Sequence, residues 1–288
     1  MSELPPYSVL IPLAPWEPAE MVAEALASLR RQSLLPDQVV VSCDGPPPPL
    51  LRECLLDSGL PVRIVAGQGG EGVGPVLARG LRECRHEIVV RVDADDLSLP
   101  MRCERQVRRL RDAPWLAALS SPIAEFENDP ANPCGLRTVP CGEAQVRRFS
   151  RWRNPLNHPS AAIRRSRVLA VGNYRSKPGF EDYDLWLRLL AAGERLDNES
   201  VVEVQARVGP AHLQRRHGIR YACRELTFLL SCGREGLIPW PRVLLLVPLR
   251  LPLRLLPPTL LRWVTHRWLR REESTAGSTA AADRLTPL

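Results

Sequence analysis

The chain has 288 residues, 44% of them apolar and 25% charged, with a formal net charge of +7. This is the composition of a globular protein, enough for one large α/β domain with an appendage or for two small domains. No apolar run approaches the roughly 18 residues of a membrane-spanning helix, and residues 1–7 lack the basic and apolar regions of a signal peptide, so neither is expected. The eight cysteines form no C-x-x-C pair and no zinc-spaced Cys/His cluster, so reduced thiols are expected. Positive charge is almost all arginine, with Lys177 the only lysine. Between Arg207 and Arg271 the only acids are Glu225 and Glu235, a basic block suited to nucleic acid, anionic lipid or diphosphate.

In chain order, Tyr7–Leu13 alternates as a buried strand. A helix follows from Pro18 to Leu29, its apolar residues on one face. Gln38–Cys43 is a continuous β-branched run, as in a parallel strand covered on both faces. A helix over about Leu50–Ser58, a strand at Val62–Ala66, a helix over Val73–Cys84, a strand at Glu87–Val92 and a helix from Pro100 to Leu110 continue the pattern. Four alternations with short connections predict a parallel, doubly wound α/β sheet. In such sheets ligands bind beyond the carboxyl ends of the strands, where Asp44, Gly67–Gly74 and Asp93–Asp96 fall. After Trp115 the alternation stops. Asp129–Pro133 and Cys134–Gly142 read as turn-rich, Arg167–Val171 and Asp182–Ala192 as helical. Val243–Leu261, with four prolines, reads as broken amphipathic turns, and 272–288 as a disordered tail.

The sharpest motif is Asp93-Ala94-Asp95-Asp96. Three carboxylates in four residues repel, and a divalent cation shared with substrate phosphates offsets them best. Capping of the helix at Pro100 is the simpler alternative, and both can hold. Gly67–Gly72 is literally G-x-G-x-x-G between a strand and a helix, with Asp93 about 20 residues on, which matches a dinucleotide fingerprint. It follows the third strand rather than the first, however, and Glu71 would face a pyrophosphate.

Glu181-Asp182 opens a helix, where adjacent acids favour the dipole; the functional alternative is a general base that takes a proton from an attacking hydroxyl. His158, within NPLNHPS, is suited to phosphate, metal or acceptor, or to a structural role. Arg207, His212, Arg215 and Arg216 can clamp a diphosphate or form a solvated basic face. In Arg242–Arg271, leucine and Trp240, Trp263 and Trp268 interleave with arginine, which points to a lipid headgroup boundary rather than nucleic acid.

Together the stretches YSVLIPL, LASLRRQSLLPDQVVVSCDGP, VRVDADDLSLPMRCERQV, NPLNHPSAAIRRS and GFEDYDLWLRLLAAG resemble the family 2 glycosyltransferases, which have the GT-A fold, and within them bacterial enzymes of exopolysaccharide and lipopolysaccharide assembly of the amylovoran-biosynthesis type. The resemblance covers roughly Tyr7 to Arg262. It implies a nucleotide-diphosphate sugar donor bound by Pro12, Glu17, Asp44, Arg79, Asp93, His158 and Arg215. It also implies Mn2+ or Mg2+ on Asp95 with Asp93, Asp182 as general base beside Glu181, and inversion at the anomeric carbon in one displacement. The expected organisation is a GT-A domain over 1–210 and a basic helical, membrane-associating region over 211–271. The expected acceptor is lipid-linked or polysaccharide, used at the cytoplasmic face of the plasma membrane. Two rival readings remain from the residues: an NAD(P)-dependent oxidoreductase built on Gly67–Gly72, and a non-catalytic module for anionic lipid or nucleic acid.

Overall fold

A computed structural model describes residues 4–209 and 218–255. The first four β/α alternations form as the pattern predicts: β1 (Tyr7–Leu13), α1 (Ala19–Arg30), β2 (Gln38–Cys43), α2 (Pro49–Leu56), β3 (Val62–Ala66), α3 (Val73–Glu83), β4 (Ile88–Arg91) and, after the short β5 (Leu97–Ser98), α4 (Arg102–Asp112). Beyond Trp115 the chain is more regular than its sequence suggests. It continues through β6 (Leu116–Ser120), β7 (Ile123–Phe126), β8 (Gly135–Arg137), α5 (Glu143–Ser150), a 3-10 turn (His158–Ser160), β9 (Ala162–Arg164), α6 (Arg165–Ala170), α7 (Glu181–Ala191), β10 (Arg195–Asn198) and β11 (Val204–Arg207). Two helices follow, α8 (Ile219–Arg234) and α9 (Trp240–Leu255).

A seven-stranded sheet has the order β10-β6-β9-β4-β1-β2-β3. It is parallel except at β9, which runs antiparallel to both β4 and β6. A second sheet, β5-β11-β7-β8, stands beside it. The turn-rich reading of Cys134–Gly142 therefore misses β8, which pairs antiparallel with β7. Strands of three residues are too short to show a period of two.

Strand parity separates the core into two layers. Tyr7, Val9, Ile11 and Leu13 of β1 pack with α1, α2 and α4 on one face. Leu10 and Val40 pack with α3, α6 and α7 on the other. Both faces being covered, every residue of β2 is buried. Two glycines of α3 allow close packing: a Cβ on Gly80 would stand 2.5 Å from Leu10 Cδ1 and 2.8 Å from Ser42 Cβ, and one on Gly74 would stand 2.2 Å from the Arg175 carbonyl oxygen.

The reading of Val243 onward as broken turns is corrected as far as residue 255, where the chain is one continuous helix despite Pro248 and Pro252. Interior prolines cost a helix about 3 kcal/mol each, and two tertiary features offset this. Val243 and Leu246 are buried in a cluster with Phe228 and Leu229 of α8, and Arg250 and Arg254 both reach the buried Glu225. Among the described residues no helix is long and apolar enough to cross a membrane. The predicted tail and the tryptophans at 263 and 268 lie outside the described residues.

Because Gly80 lies against both Leu10 and Ser42, Gly80→Ala is expected to cost about 1–3 kcal/mol by overpacking. Equilibrium urea unfolding measures this.

Candidate active site

In the main sheet, β2 and β3 extend from β1 to one side and β4 lies on the other. This reversal between β1 and β4 opens a crevice at their carboxyl ends, where α/β sheets take ligands. Pro12 lies near the end of β1 and Glu17 in the turn that follows, its N–H donating to Ala14 O. Asp44 follows β2 beside it, its N–H donating to Leu13 O.

Asp93–Asp96 leaves β4 in a tight turn, the Asp96 N–H directed at Asp93 O (3.5 Å). Ala94 and Asp96 are buried, while Asp93 and Asp95 are only part-buried, so the latter two are the accessible acids of the motif. The Arg91 guanidinium, itself buried, forks onto the two oxygens of Asp93. Asp96 turns inward and accepts the Arg207 N–H (2.9 Å). Burial, then the neighbouring Asp93, pushes the Asp95 carboxyl above the usual range, and burial with both neighbours does the same to Asp96. Two part-buried carboxylates two residues apart, held against their mutual repulsion, are hard oxygen donors that fit Mg2+ or Mn2+. Among the described residues no three His, Cys, Asp or Glu side chains are grouped to hold an ion, so such an ion would draw ligands from a bound phosphate as well.

Arg207 is otherwise engaged. It pairs with Glu24 (2.6 Å) and lies over the Phe126 ring at 4.8 Å. It therefore anchors the acidic stretch instead of standing free as a clamp. His212, Arg215 and Arg216 lie outside the described residues.

The glycine-rich turn is tied down by three side chains. Asp44 accepts the Glu71 N–H (2.9 Å) and the Gly72 N–H (3.3 Å), Glu71 accepts the Gln68 N–H (2.8 Å), and Arg79 bridges Glu71 (2.6 Å) and Cys43 O (2.7 Å). Asp44 and Arg79, which the resemblance assigns to the nucleotide, thus shape the loop at the crevice rim. β3 is an edge strand away from the switch point, which removes the geometric basis of a dinucleotide fingerprint here. The turn serves instead to let α3 approach: Gly74 lies against the Arg175 carbonyl and within 3.1 Å of Glu181 Cγ, measured from its ideal Cβ position.

On that far side α7 begins with Glu181 and Asp182. Glu181 Oε2 accepts the Gly179 N–H (3.0 Å), and burial raises its carboxyl to about 7 against the helix N–H groups that favour the charge. Asp182 accepts from Asn154 Nδ2 (2.6 Å) and from the Tyr183 N–H (2.8 Å). Tyr174 links this end to the acidic stretch. Its hydroxyl is 3.1 Å from His158 Nε2, and both Arg91 and Asp182 bear on its ionisation, which burial chiefly opposes. His158 packs edge-on to Trp186 (6.0 Å), and burial, then Arg91, holds its pKa well below the usual value. A neutral imidazole donates one proton and accepts another. Arg91, His158 and Tyr174 thus form one polar wall, Arg91 holding Asp93 of the first acidic cluster and Tyr174 feeling the charge of Asp182 in the second.

Behind this wall lies a network that sequence reasoning passed over. Arg102, 1% exposed, donates to Arg91 O (2.6 Å), Pro159 O (3.0 Å) and Ser98 Oγ (2.9 Å). Gln106 donates to Ser160 O and Glu203, both at 2.8 Å. Arg102 and Gln106 lie four apart in α4, a spacing that places them on one helix face, but the surrounding arginines disguise that face as solvated.

A model of glycosyl transferase family 2 matches residues 8–171. The amylovoran biosynthesis glycosyltransferase AmsE of Erwinia amylovora is 32% identical over 76% of this chain and 83% of its own length. The UDP-Gal:alpha-D-GlcNAc-diphosphoundecaprenol beta-1,3-galactosyltransferase of Escherichia coli is 29% identical over 93% of this chain and 98% of its own. Among solved structures, the mannosyltransferase PcManGT of Pyrobaculum calidifontis, in complex with GDP-Man and Mn2+, superposes with a TM-score of 0.63 at 20% identity, covering 99% of this chain and 82% of that one. The chain belongs to glycosyl transferase family 2. It is a glycosyltransferase with the GT-A fold and a helical C-terminal extension, and the oxidoreductase and binding-module readings fall away.

Glu203 is fully buried, and burial raises its carboxyl to about 7. A raised folded-state pKa means that its stabilising contribution is whole below about 4.5, the unfolded value, and is lost as pH rises through about 7. Glu203→Gln, which keeps an acceptor for Gln106, is expected to raise stability at pH 8 by up to about 3 kcal/mol and to leave it little changed at pH 4. Denaturant midpoints at the two pH values read the difference.

Proposed function

We propose that this glycosyltransferase moves a sugar from a nucleotide-diphosphate donor to a lipid-linked or polysaccharide acceptor, inverting the anomeric carbon, in the assembly of cell-surface glycans at the cytoplasmic face of the membrane. The observation that supports this reading is that Arg91, which holds Asp93, and Asp182 both bear on Tyr174, whose hydroxyl is 3.1 Å from His158 Nε2. Relatives named for amylovoran biosynthesis and for a diphosphoundecaprenol-linked acceptor support the acceptor class. The GDP-Man and Mn2+ complex of PcManGT supports the donor class and the metal.

In this reading Pro12, Glu17 and the loop held by Asp44 and Arg79 border the nucleotide. Asp95 and Asp93 would hold Mn2+ or Mg2+, which would supply Lewis-acid neutralisation of the charge on a departing diphosphate. The acceptor hydroxyl oxygen bonds to the anomeric carbon as the bond from that carbon to the diphosphate oxygen breaks, and its proton passes to the Asp182 carboxylate. Asn154 fixes the orientation of Asp182, and the N-terminus of α7 favours its charged form. Glu181, part-buried beside it, keeps the local negative charge from doubling as long as it stays protonated. Neutral His158 lines the wall without adding a second positive charge beside Arg91.

Calorimetric titration with UDP and GDP, with and without Mn2+, tests the assignment. Asp95→Ala is expected to abolish the metal-dependent part of diphosphate binding. Asp182→Asn should leave that binding intact and lower kcat by about 100- to 10,000-fold. Metal-independent binding unaffected by Asp95→Ala, or full turnover in Asp182→Asn, would remove these roles.

A further inference from the structure

Helix α9 is amphipathic in the wrong sense for a helix facing water. From residue 244 to its end, the exposed positions are Leu244, Leu245, Pro248, Leu249, Pro252 and Leu255. They recur every three or four residues, and so form one face of the helix. The leucines on it are 52–67% exposed. The charged residues of the same stretch, Arg250 and Arg254, point the other way and pair with the fully buried Glu225 at 2.6 and 2.7 Å. A surface helix of a water-soluble protein shows the reverse arrangement. Exposed apolar ground of this extent marks an interaction site.

The surroundings say what kind. On α8, α9 and the turn between them the only acids are Glu225, consumed as described, and Glu235, which pairs with Arg175 (2.5 Å) and Lys177 (3.5 Å). Arg220, Arg224 and Arg234 are exposed. An apolar face on a helical hairpin that carries exposed arginines, and whose acids are taken up in ion pairs, suits a surface that is apolar within and anionic at its border. A two-fold contact with a second copy would set arginine against arginine.

We propose that the outer face of α9 docks on an anionic bilayer, its leucine and proline side chains entering the headgroup–acyl boundary and the neighbouring arginines meeting lipid phosphates. The purpose of this docking rests on the lipid-linked acceptor proposed above, although its geometry does not. The hairpin is bound to the start of α7, where Phe180 stacks on Phe228 at 4.6 Å and Tyr183 packs on the same ring at 5.4 Å. Docking through α9 therefore fixes the Asp182 end of the crevice relative to the membrane surface.

The test uses the full chain in flotation with vesicles of phosphatidylethanolamine and phosphatidylglycerol, with phosphatidylcholine vesicles as the neutral comparison. Wild-type protein should float with the anionic vesicles. The double variant Leu244→Glu/Leu249→Glu should bind them about 10- to 100-fold more weakly, with unchanged thermal melting and unchanged diphosphate binding. Leu35→Glu, at a leucine 59% exposed on another part of the surface, should behave as wild type. Absence of flotation, or equal flotation of the double variant, overturns the proposal. So does a wild-type dimer that the double variant dissociates without any vesicle binding, which assigns the face to a second copy. A lowered melting temperature without change in flotation assigns it to the chain's own packing and overturns it equally. Flotation lost in the double variant, without transfer to any lipid-diphosphate acceptor, upholds the docking surface and retires the acceptor reading; transfer to such an acceptor without flotation does the opposite.

Discussion

The site depends on one buried cation, the guanidinium of Arg102. Removing such a charge from water costs several kcal/mol unless its donors are satisfied. Here they are met by carbonyls and side chains from four separate places: the end of β4, the 3-10 turn at 158–160, Ser98 of β5 and Gln106 of α4 itself. Each of those places carries part of the site. The end of β4 leads into Asp93–Asp96, the 3-10 turn presents His158, and through Gln106 the network reaches Glu203 just before β11. A neutral side chain at 102 would take this donor from two carbonyls, those of Arg91 and Pro159, and leave the elements that carry the acids without a common anchor.

The remainder of the site follows from that anchorage and from the closeness of α3. Arg91 is both a carbonyl acceptor for Arg102 and the guanidinium that holds Asp93. One residue thus communicates the position of the buried network to the acidic stretch. From the opposite direction, Gly74 lets the helix after the glycine-rich turn touch the Arg175 carbonyl and Glu181. The first turn of α3, just after the glycine-rich turn, and the first turn of α7 are thereby in contact.

What could be read from the chain was what is local in it. Asp93–Asp96, Gly67–Gly72 and Glu181–Asp182 each sit within a few residues, and each follows a strand or opens a helix whose period is clear. Arg102, Gln106 and Glu203 were not legible, because their partners are far away in sequence and because α4, with the segment RCERQVRRLRD, looks like a solvated helix. Strands β6, β9 and β10 escaped for a different reason. They are short, β6 is rich in alanine, and β9 runs against the direction that the preceding alternation establishes. Helix α9 was hidden by its prolines, which sit on the outer face where packing against α8 does not need them.

The hairpin of α8 and α9 is attached to the start of α7 by aromatic packing and by ion pairs to Arg175 and Lys177, all of which belong to the segment 175–187. The residues that border the crevice on its other side lie before residue 97. Chains with this architecture can therefore change in two separate registers. Substitutions in the first hundred residues or so can reshape the strand-end border of the crevice and leave the hairpin untouched, while changes in the terminal hairpin reach the crevice only through the first turn of α7.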